Sequence, residues 1–429
     1  VVTIDSLMAG WDSELTLAAV SQGTVLWHFV MLGIIGLLMP ISALAARAES
    51  SGDNEQLQQL FQQVVWVAIP LGALGFVAMW YTPIVLHWVG VDEQIIPPAT
   101  EYLRIVAFTI PLITLFLPVR YVTEGVGNPT AMMILTATSI PINVIGNYCL
   151  LNGVWIFPKM GIAGIATATV IAELYFVIAG WWYIAKHKRM RTFALLSNFS
   201  RPMFAPMKQV ICLGIPSALA LLMEEGMFTI VILLSGKLGV SVAAANQIAF
   251  NYISNAFMIP LGIGMALSTR IGAEIGQSNI RNARTIGLSG IGLGAISMVL
   301  SVIGIIFFGE VIASFYTDDA EVISLAVSLL ALAGIFQIFD GMQVCGGGAL
   351  RGLEETKAPM RYAAIGYWLL GVPMAVLLAF PLGWGAEGLW TGLVFGLCVT
   401  AVFSTRKFAK LTSGGMRGRH KITLTDLSV

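Results

Sequence analysis

Asp340 stands in the apolar run GIFQIFDGMQ, residues 334–343. A carboxylate in such a run must face the protein interior, take up a proton, or hold a cation. Gln337 and Gln343 lie three residues to either side of it, so all three side chains share one helix face. A carboxylate flanked by two amides is an oxygen-rich place for a small cation or a proton. Glu224 and Glu225 fall midway along another apolar segment. Adjacent helical residues point about 100° apart, so one of the two can face inward while the other meets a neighbouring helix, and spacing does not choose between them. Asp5 lies in a short apolar segment at the start of the chain. Asn143 and Asn147 are four residues apart, hence on one face, and can complete a carboxylate–amide site with Asp5; hydrogen bonding between helices is the other reading of the two amides. Glu173 is central in a further apolar segment. Carboxyl and amide oxygens suit a hard cation better than a soft metal. The chemistry these residues offer is proton or sodium binding: deprotonated they attract a cation or a cationic substrate, and once protonated or ion-bound they release it.

The elements that must position these groups follow from composition. Of 429 residues 57% are hydrophobic and 11% charged, with a mean hydropathy of +0.84. A soluble chain carries roughly 25% charged residues, so the solvent of this one is mostly lipid. About 20 apolar residues cross the hydrocarbon core. The segments 19–46, 57–83, 97–122, 130–152, 161–185, 209–235, 241–268, 286–308, 322–347, 358–380 and 386–405 reach that length, and 1–10 makes a short twelfth. Their continuous apolar character predicts helices rather than the alternating strands, each about 10 residues, of a barrel. The short span begins at Val1 without a Met, so the front half of helix one is expected upstream. With the N-terminus in the cytoplasm, twenty of the twenty-three Lys and Arg fall on the cytoplasmic side, leaving Arg104, Lys159 and Lys237 outside. That asymmetry places both termini inside. Net charge is zero, so there is no basic footprint for nucleic acid. No GxxxxGK[ST] loop occurs, which argues against an ATP-driven enzyme; no enzyme activity, cofactor or resident metal is expected. Cys149, Cys212, Cys345 and Cys398 are dispersed, without CxxC spacing, and read as packing residues.

The longest loop suggests two halves. Across it, Leu17–Gln22 resembles Val242–Gln247, and Ala48-Glu49 matches Ala273-Glu274. Gly125, Ala131 and Met133 match Gly352, Ala358 and Met360, and Gly161, Gly164 and Thr167 match Gly385, Gly388 and Thr391. The matches come in order at a nearly constant offset and indicate a duplication of six spans. An even number makes the repeats parallel, a design in which substrate binds at the repeat interface and the halves rock to alternate access. The expected organisation is an N-lobe 1–187, a cytoplasmic linker 188–208, a C-lobe 209–405 and a cytoplasmic tail 406–429. Pro40, Pro70, Pro111, Pro141, Pro216, Pro260 and Pro373 fall deep inside spans, where each removes a backbone hydrogen bond and can kink its helix. The 22 Phe, 11 Trp, 10 Tyr and 19 Met are mostly ordinary membrane residues. Some can line a cavity that accepts varied flat cations.

Three stretches carry a resemblance: DSLMAG (5–10) followed by LAAVS (17–21); PINVIGNYCLLNG (141–153) followed by GIAGIAT (161–167); and Asp340 running on to GGGALRG (346–352). Nearly the whole chain resembles the multidrug and toxic compound extrusion (MATE) family, closest to its NorM-type branch. The resemblance implies an all-α integral membrane protein of twelve transmembrane helices in two pseudo-symmetric six-helix bundles, set in the inner membrane if bacterial and acting as a monomer in the lipid bilayer. It implies that Asp340 is the helix-ten carboxylate implicated in cation coupling. Glu224, four residues before Phe228, is implied as the helix-seven glutamate, and Asp5, Asn143 and Asn147 as the first-lobe polar site. Where NorM-type members often carry a Tyr one turn before that Asp, this chain has Phe336, an aromatic wall without the oxygen, which tilts the expected ion from sodium toward protons. The expected activity is export of organic, cationic or aromatic small molecules by antiport with H+ or Na+. The alternatives are export of an endogenous metabolite such as a flavin or peptide, and flipping of a lipid-linked sugar. The last calls for a strongly basic central cavity, and these spans show almost no buried Lys or Arg.

Overall fold

The computed structural model describes residues 2–154 and 157–413. Among them the chain is helical, with no strand. It forms α1 (Val2–Asp12), α2 (Glu14–Ser50), α3 (Asn54–Trp88), α4 (Ile96–Gly125), α5 (Pro129–Asn152), α6 (Ile162–Lys186), α7 (Phe204–Lys237), α8 (Val240–Gly276), α9 (Ile280–Ser314), α10 (Ala320–Gly352), α11 (Lys357–Ala379) and α12 (Gly385–Ser413). Eleven of these are long and apolar enough to cross a membrane. At 1.5 Å per residue α1 covers only about 16 Å, half of a ~30 Å core. Eleven full spans and one short one are what the apolar runs predict. Large side chains on α9 face outward: Leu300 is 65% and Phe307 74% exposed. Water would penalise such a surface, and hydrocarbon does not.

The prolines act unequally. α2 is interrupted at Met39–Pro40, and α4 at Ala107–Phe108, one turn before Pro111. Pro111 has no N–H to offer Ala107, whose carbonyl instead accepts from the Ile110 amide at 3.1 Å; the tighter turn marks the break. Pro70, Pro141, Pro216 and Pro260 lie inside continuous helices. Before Pro373, residues Ala364–Gly371 of α11 form a π-helical stretch.

The chain divides into two compact units, Val1–Ala218 and Leu219–Val429, the division falling within α7. Each unit repeats the same close approaches. In the first, a Cβ on Gly125 of α4 would stand 2.7 Å from the Ser42 carbonyl oxygen of α2, and one on Gly164 of α6 would stand 2.7 Å from the Leu150 carbonyl oxygen of α5. In the second, a Cβ on Gly352 of α10 would stand 2.9 Å from the Ser268 carbonyl oxygen of α8, and one on Gly388 of α12 would stand 2.7 Å from the Leu378 carbonyl carbon of α11. Glycine is required at all four because backbone meets side-chain space there. The two six-helix bundles are therefore built on one packing scheme.

Two segments differ from their sequence reading. The stretch between the halves is strapped to α3. Gln62 Nε2 donates to the carbonyls of Leu195 (3.2 Å) and Ser197 (2.9 Å), and its Oε1 accepts from Ser200 N (2.9 Å). Gln63 Nε2 donates to Ser200 Oγ (2.9 Å) and the Arg201 carbonyl (3.0 Å), and its Oε1 accepts from Met203 N (2.7 Å). Trp66 Nε1 donates to the Ser200 carbonyl at 3.0 Å. Both amides are fully buried and satisfy loop groups that would otherwise be orphaned. The second segment is the start of the expected tail. α12 runs past residue 405 because Phe408 is buried against Gly287 of α9 and Arg284 Nη1 donates to the Ala409 carbonyl at 2.7 Å. Residues 414–429 of that tail lie outside the described residues.

Replacing Gln62 and Gln63 together by Leu removes six hydrogen bonds to the strap, each worth about 0.5–1.5 kcal/mol net. Trypsin is expected to cut at Arg191 several-fold faster than in the unaltered protein, as followed on gels. Equal cutting rates would show that the strap does not depend on α3.

Candidate functional site

In the first unit α1 carries Asp5 into the protein, where it is 1% exposed. α5 presents Asn143 and Asn147 from successive turns of one face. Asp5 Oδ1 accepts from Asn147 Nδ2 at 2.7 Å and Asn143 Nδ2 at 3.3 Å, and Asn147 Nδ2 also reaches Asn143 Oδ1 at 3.3 Å. α6 adds Thr169, whose Oγ1 donates to Asp5 Oδ2 at 2.7 Å. Asn147 Oδ1 is buried without a hydrogen-bond partner. Three helices thus converge on one dry carboxyl group, and the oxygens around it can receive a proton or a small cation. Glu173, also on α6, is half-buried and stands apart from this hydrogen-bonded set.

In the second unit α7 and α10 bring Glu224 and Asp340 into one buried region; they are 8% and 4% exposed. Gln343 Nε2 donates to Glu224 Oε2 at 3.4 Å, so the face that carries Asp340 also reaches across to α7. Asp340 Oδ1 and Gln343 Oε1 have no hydrogen-bond partner. Arg351, further along α10, lies within electrostatic reach of Glu224. Of the two adjacent glutamates, the structure turns Glu224 inward and leaves Glu225 half-buried. Gln337 takes a different direction from Gln343: its Oε1 accepts from Ser301 Oγ of α9 at 2.8 Å.

Phe336 is fully buried, its ring 5.7 Å from that of Phe228 and 5.8 Å from that of Trp390. Trp390 packs on Phe250 and donates through Nε1 to Asn246 Oδ1 at 3.0 Å. This aromatic group walls the Glu224–Asp340 region and belongs to the core of the unit. Among the described residues no cluster of three or more His, Cys, Asp or Glu is arranged to hold a metal. Cys149 and Cys345 are buried free thiols.

Thr169, Ser301 and Tyr367 escape sequence reasoning. A hydroxyl in a membrane helix ordinarily bonds its own backbone one turn back, as Thr167 does to the Ala163 carbonyl at 2.7 Å. Nothing in the local sequence separates Thr169 from Thr167. Tyr367 on α11 is fully buried, among the largest side chains that are, and lies within electrostatic reach of both Glu224 and Asp340.

Comparisons with known proteins bear on the family and the fold. The MatE family matches residues 1–149 and 216–377. The chain is 33% identical over 419 residues to a protein of Xanthomonas campestris pv. campestris called probable multidrug resistance protein NorM, covering 96% of this chain and 91% of that one. It is 34% identical to a Bacillus cereus protein of the same description, covering 93% and 88%. Among solved structures it superimposes on a MATE in the bent conformation with a TM-score of 0.88 at 18% identity, covering 96% of this chain and 91% of that one. The eukaryotic MATE transporter AtDTX14 gives 0.81 at 22%, covering 96% and 94%. The eleven membrane-length helices and these relatives define an integral membrane transporter. The chain belongs to the MatE family.

Thr169→Val keeps the shape of the side chain and deletes its bond to Asp5, leaving a buried carboxyl oxygen short of a donor. A loss of about 1–3 kcal/mol of stability is expected, measured by unfolding of the detergent-solubilised protein. Thr167→Val, which loses only a backbone contact, is the control and should stay within about 0.5 kcal/mol. Equal effects would remove Thr169 from the cluster.

Proposed function

We propose that this protein is a secondary antiporter that exports varied organic, cationic or aromatic molecules in exchange for H+ or Na+. The observation that carries the reading is the second unit's pair of carboxyl groups, Asp340 and Glu224, buried in membrane helices with Gln343 bridging toward Glu224 and an Asp340 oxygen unpartnered. Isolated carboxyl groups at this depth are costly, and a structural role would be expected to satisfy every oxygen. A group that must bind and release a counter-charge keeps one free. In the cycle we envisage, deprotonated carboxyls draw in the coupling ion or a cationic substrate. Neutralisation then removes that attraction and lets the other cation go. Movement of the two units exposes the sites alternately to the two sides of the membrane.

Several further observations support parts of this reading. The relatives in Xanthomonas and Bacillus are described as probable multidrug resistance proteins, which favours a broad substrate range over a single metabolite. Twenty of twenty-three basic residues on one side support both termini in the cytoplasm, and the bacterial relatives support placement in the inner membrane. The 10% aromatic content supports flat cationic substrates, which stack on rings and gain cation–π attraction.

Proteoliposomes loaded with a fluorescent cationic dye test this directly, with either a proton or a sodium gradient imposed. The protein is expected to move dye against its concentration gradient under at least one of them. Asp340→Asn and Glu224→Gln should each slow transport at least roughly tenfold, the equivalent of about 1.4 kcal/mol. An inserted, folded protein that moves no dye under either gradient would overturn the multidrug reading.

A further inference from the structure

From Leu174 to Met223 the chain has no Asp or Glu, yet it carries Lys186, Lys188, Arg189, Arg191, Arg201 and Lys208. Among the described residues only Arg189 of these meets a carboxylate. Its Nη2 lies 3.5 Å from Glu49 Oε1 and donates to the Val126 carbonyl at 2.7 Å. That guanidinium fixes the chain after α6 to the first unit. Lys186 and Lys188 are exposed and form no ion pair among the described residues.

Lys186, His187 and Lys188 line one open cavity together with Trp182 and Tyr183. The parts of that cavity are held in place. The Tyr183 and His187 rings stack with centroids 4.6 Å apart and planes 24° apart, and the Tyr183 hydroxyl accepts from Asn128 Nδ2, just before α5. At His187 the backbone turns extended, and a short helix follows, Lys188–Thr192. Met190 in that helix is fully buried, so the two lysines leave a fixed corner.

The cavity stands where the lipid-facing stripe of α6 ends. Ile171, Leu174, Ile178 and Trp182 follow one another at helical spacing and are all exposed, Trp182 at 64%. Thr169, Phe176 and Gly180 occupy the opposite, buried side. Lys186 comes one turn after Trp182 on the same stripe. Tryptophan and tyrosine favour the level of the headgroups. A lysine there lays its stem along apolar surface and lifts its ammonium toward the phosphates.

We propose that this end of α6 binds the headgroup of an anionic phospholipid of the bilayer, of the phosphatidylglycerol type. Lys186 and Lys188 meet the phosphate through charge-assisted hydrogen bonds. Trp182 and Tyr183 pack along the glycerol and the first acyl carbons. With no carboxylate in this stretch, the amine of a zwitterionic headgroup finds no partner, so net charge sets the preference. A diffuse excess of basic residues would draw anionic lipid to the whole surface; the cavity confines it to one place.

The test is native mass spectrometry of the purified full chain, titrated in detergent with phosphatidylglycerol or phosphatidylethanolamine of the same acyl chains. The unaltered protein is expected to fill one saturable site with phosphatidylglycerol before it takes up phosphatidylethanolamine. Lys186→Gln with Lys188→Gln should weaken that site about tenfold. Arg201→Gln with Lys208→Gln removes the same charge from the same stretch outside the cavity. That pair should leave the affinity within about twofold, because exposed charges outside the cavity act only through a screened field. Melting in detergent alone checks that both variants are folded. If the two pairs weaken binding equally, if phosphatidylethanolamine binds as tightly, or if no saturable site exists, the attraction is diffuse and the proposal falls. Glycerol phosphate is the third arm: if it displaces the lipid at equal concentration, the site recognises a soluble phosphate and the lipid reading is overturned.

Discussion

Hydrocarbon offers no hydrogen-bond partner, so every polar group on a membrane helix must be satisfied by another part of the protein or by what it carries. The placement of the polar residues follows from this. Asn246 spends its oxygen on the Trp390 indole, and Ser301 spends its hydroxyl on Gln337. Thr169 joins Asn143 and Asn147 around Asp5. At Asp340 Oδ1 and Asn147 Oδ1 the pairing stops short.

The helices that carry these groups are brought close by glycine and bent by proline. Gly125 against α2 and Gly352 against α8 make one contact twice, as do Gly164 against α5 and Gly388 against α11. The duplicated frame does not carry duplicated chemistry. The first unit assembles its polar group from α1, α5 and α6, and the second from α7, α10 and α11. The position in α4 that corresponds to Asp340, by the offset relating Gly125 to Gly352, is Ile113, buried among apolar neighbours. Packing constrains both halves alike, because backbone contact tolerates only glycine wherever it occurs.

The two units hold dissimilar carboxyl clusters. Asp5 is held by three neighbouring side chains and is the more fully enclosed. Glu224 and Asp340 share a looser region, with one bridging amide at 3.4 Å and several unpartnered atoms. The strap that ties residues 195–203 to Gln62, Gln63 and Trp66 of α3 shortens the free connection between the halves. It makes most of that connection part of the first unit.

Much was legible in the residues alone. Length, apolar runs and the asymmetry of Lys and Arg specify eleven full spans and a short one, because transfer into lipid is a property of local composition. The spacing of Asn143 and Asn147, and of Asp340 and Gln343, places them on shared helix faces, because helical geometry is local too. What lies across from a face is not local. That Glu224 rather than Glu225 points inward, that Gln337 serves α9 while Gln343 serves α7, and that Phe336 closes an aromatic core were decided by packing between helices. Thr169 and Tyr367 had no distinguishing neighbours in the chain, and residues 188–208 read only as a linker because the glutamines that bind residues 195–203 lie 133–140 residues earlier. Composition and period determined which segments enter the membrane and which face each residue occupies; only the tertiary structure, by bringing distant segments within hydrogen-bonding range, decided which polar atoms are paired and which are left free to act.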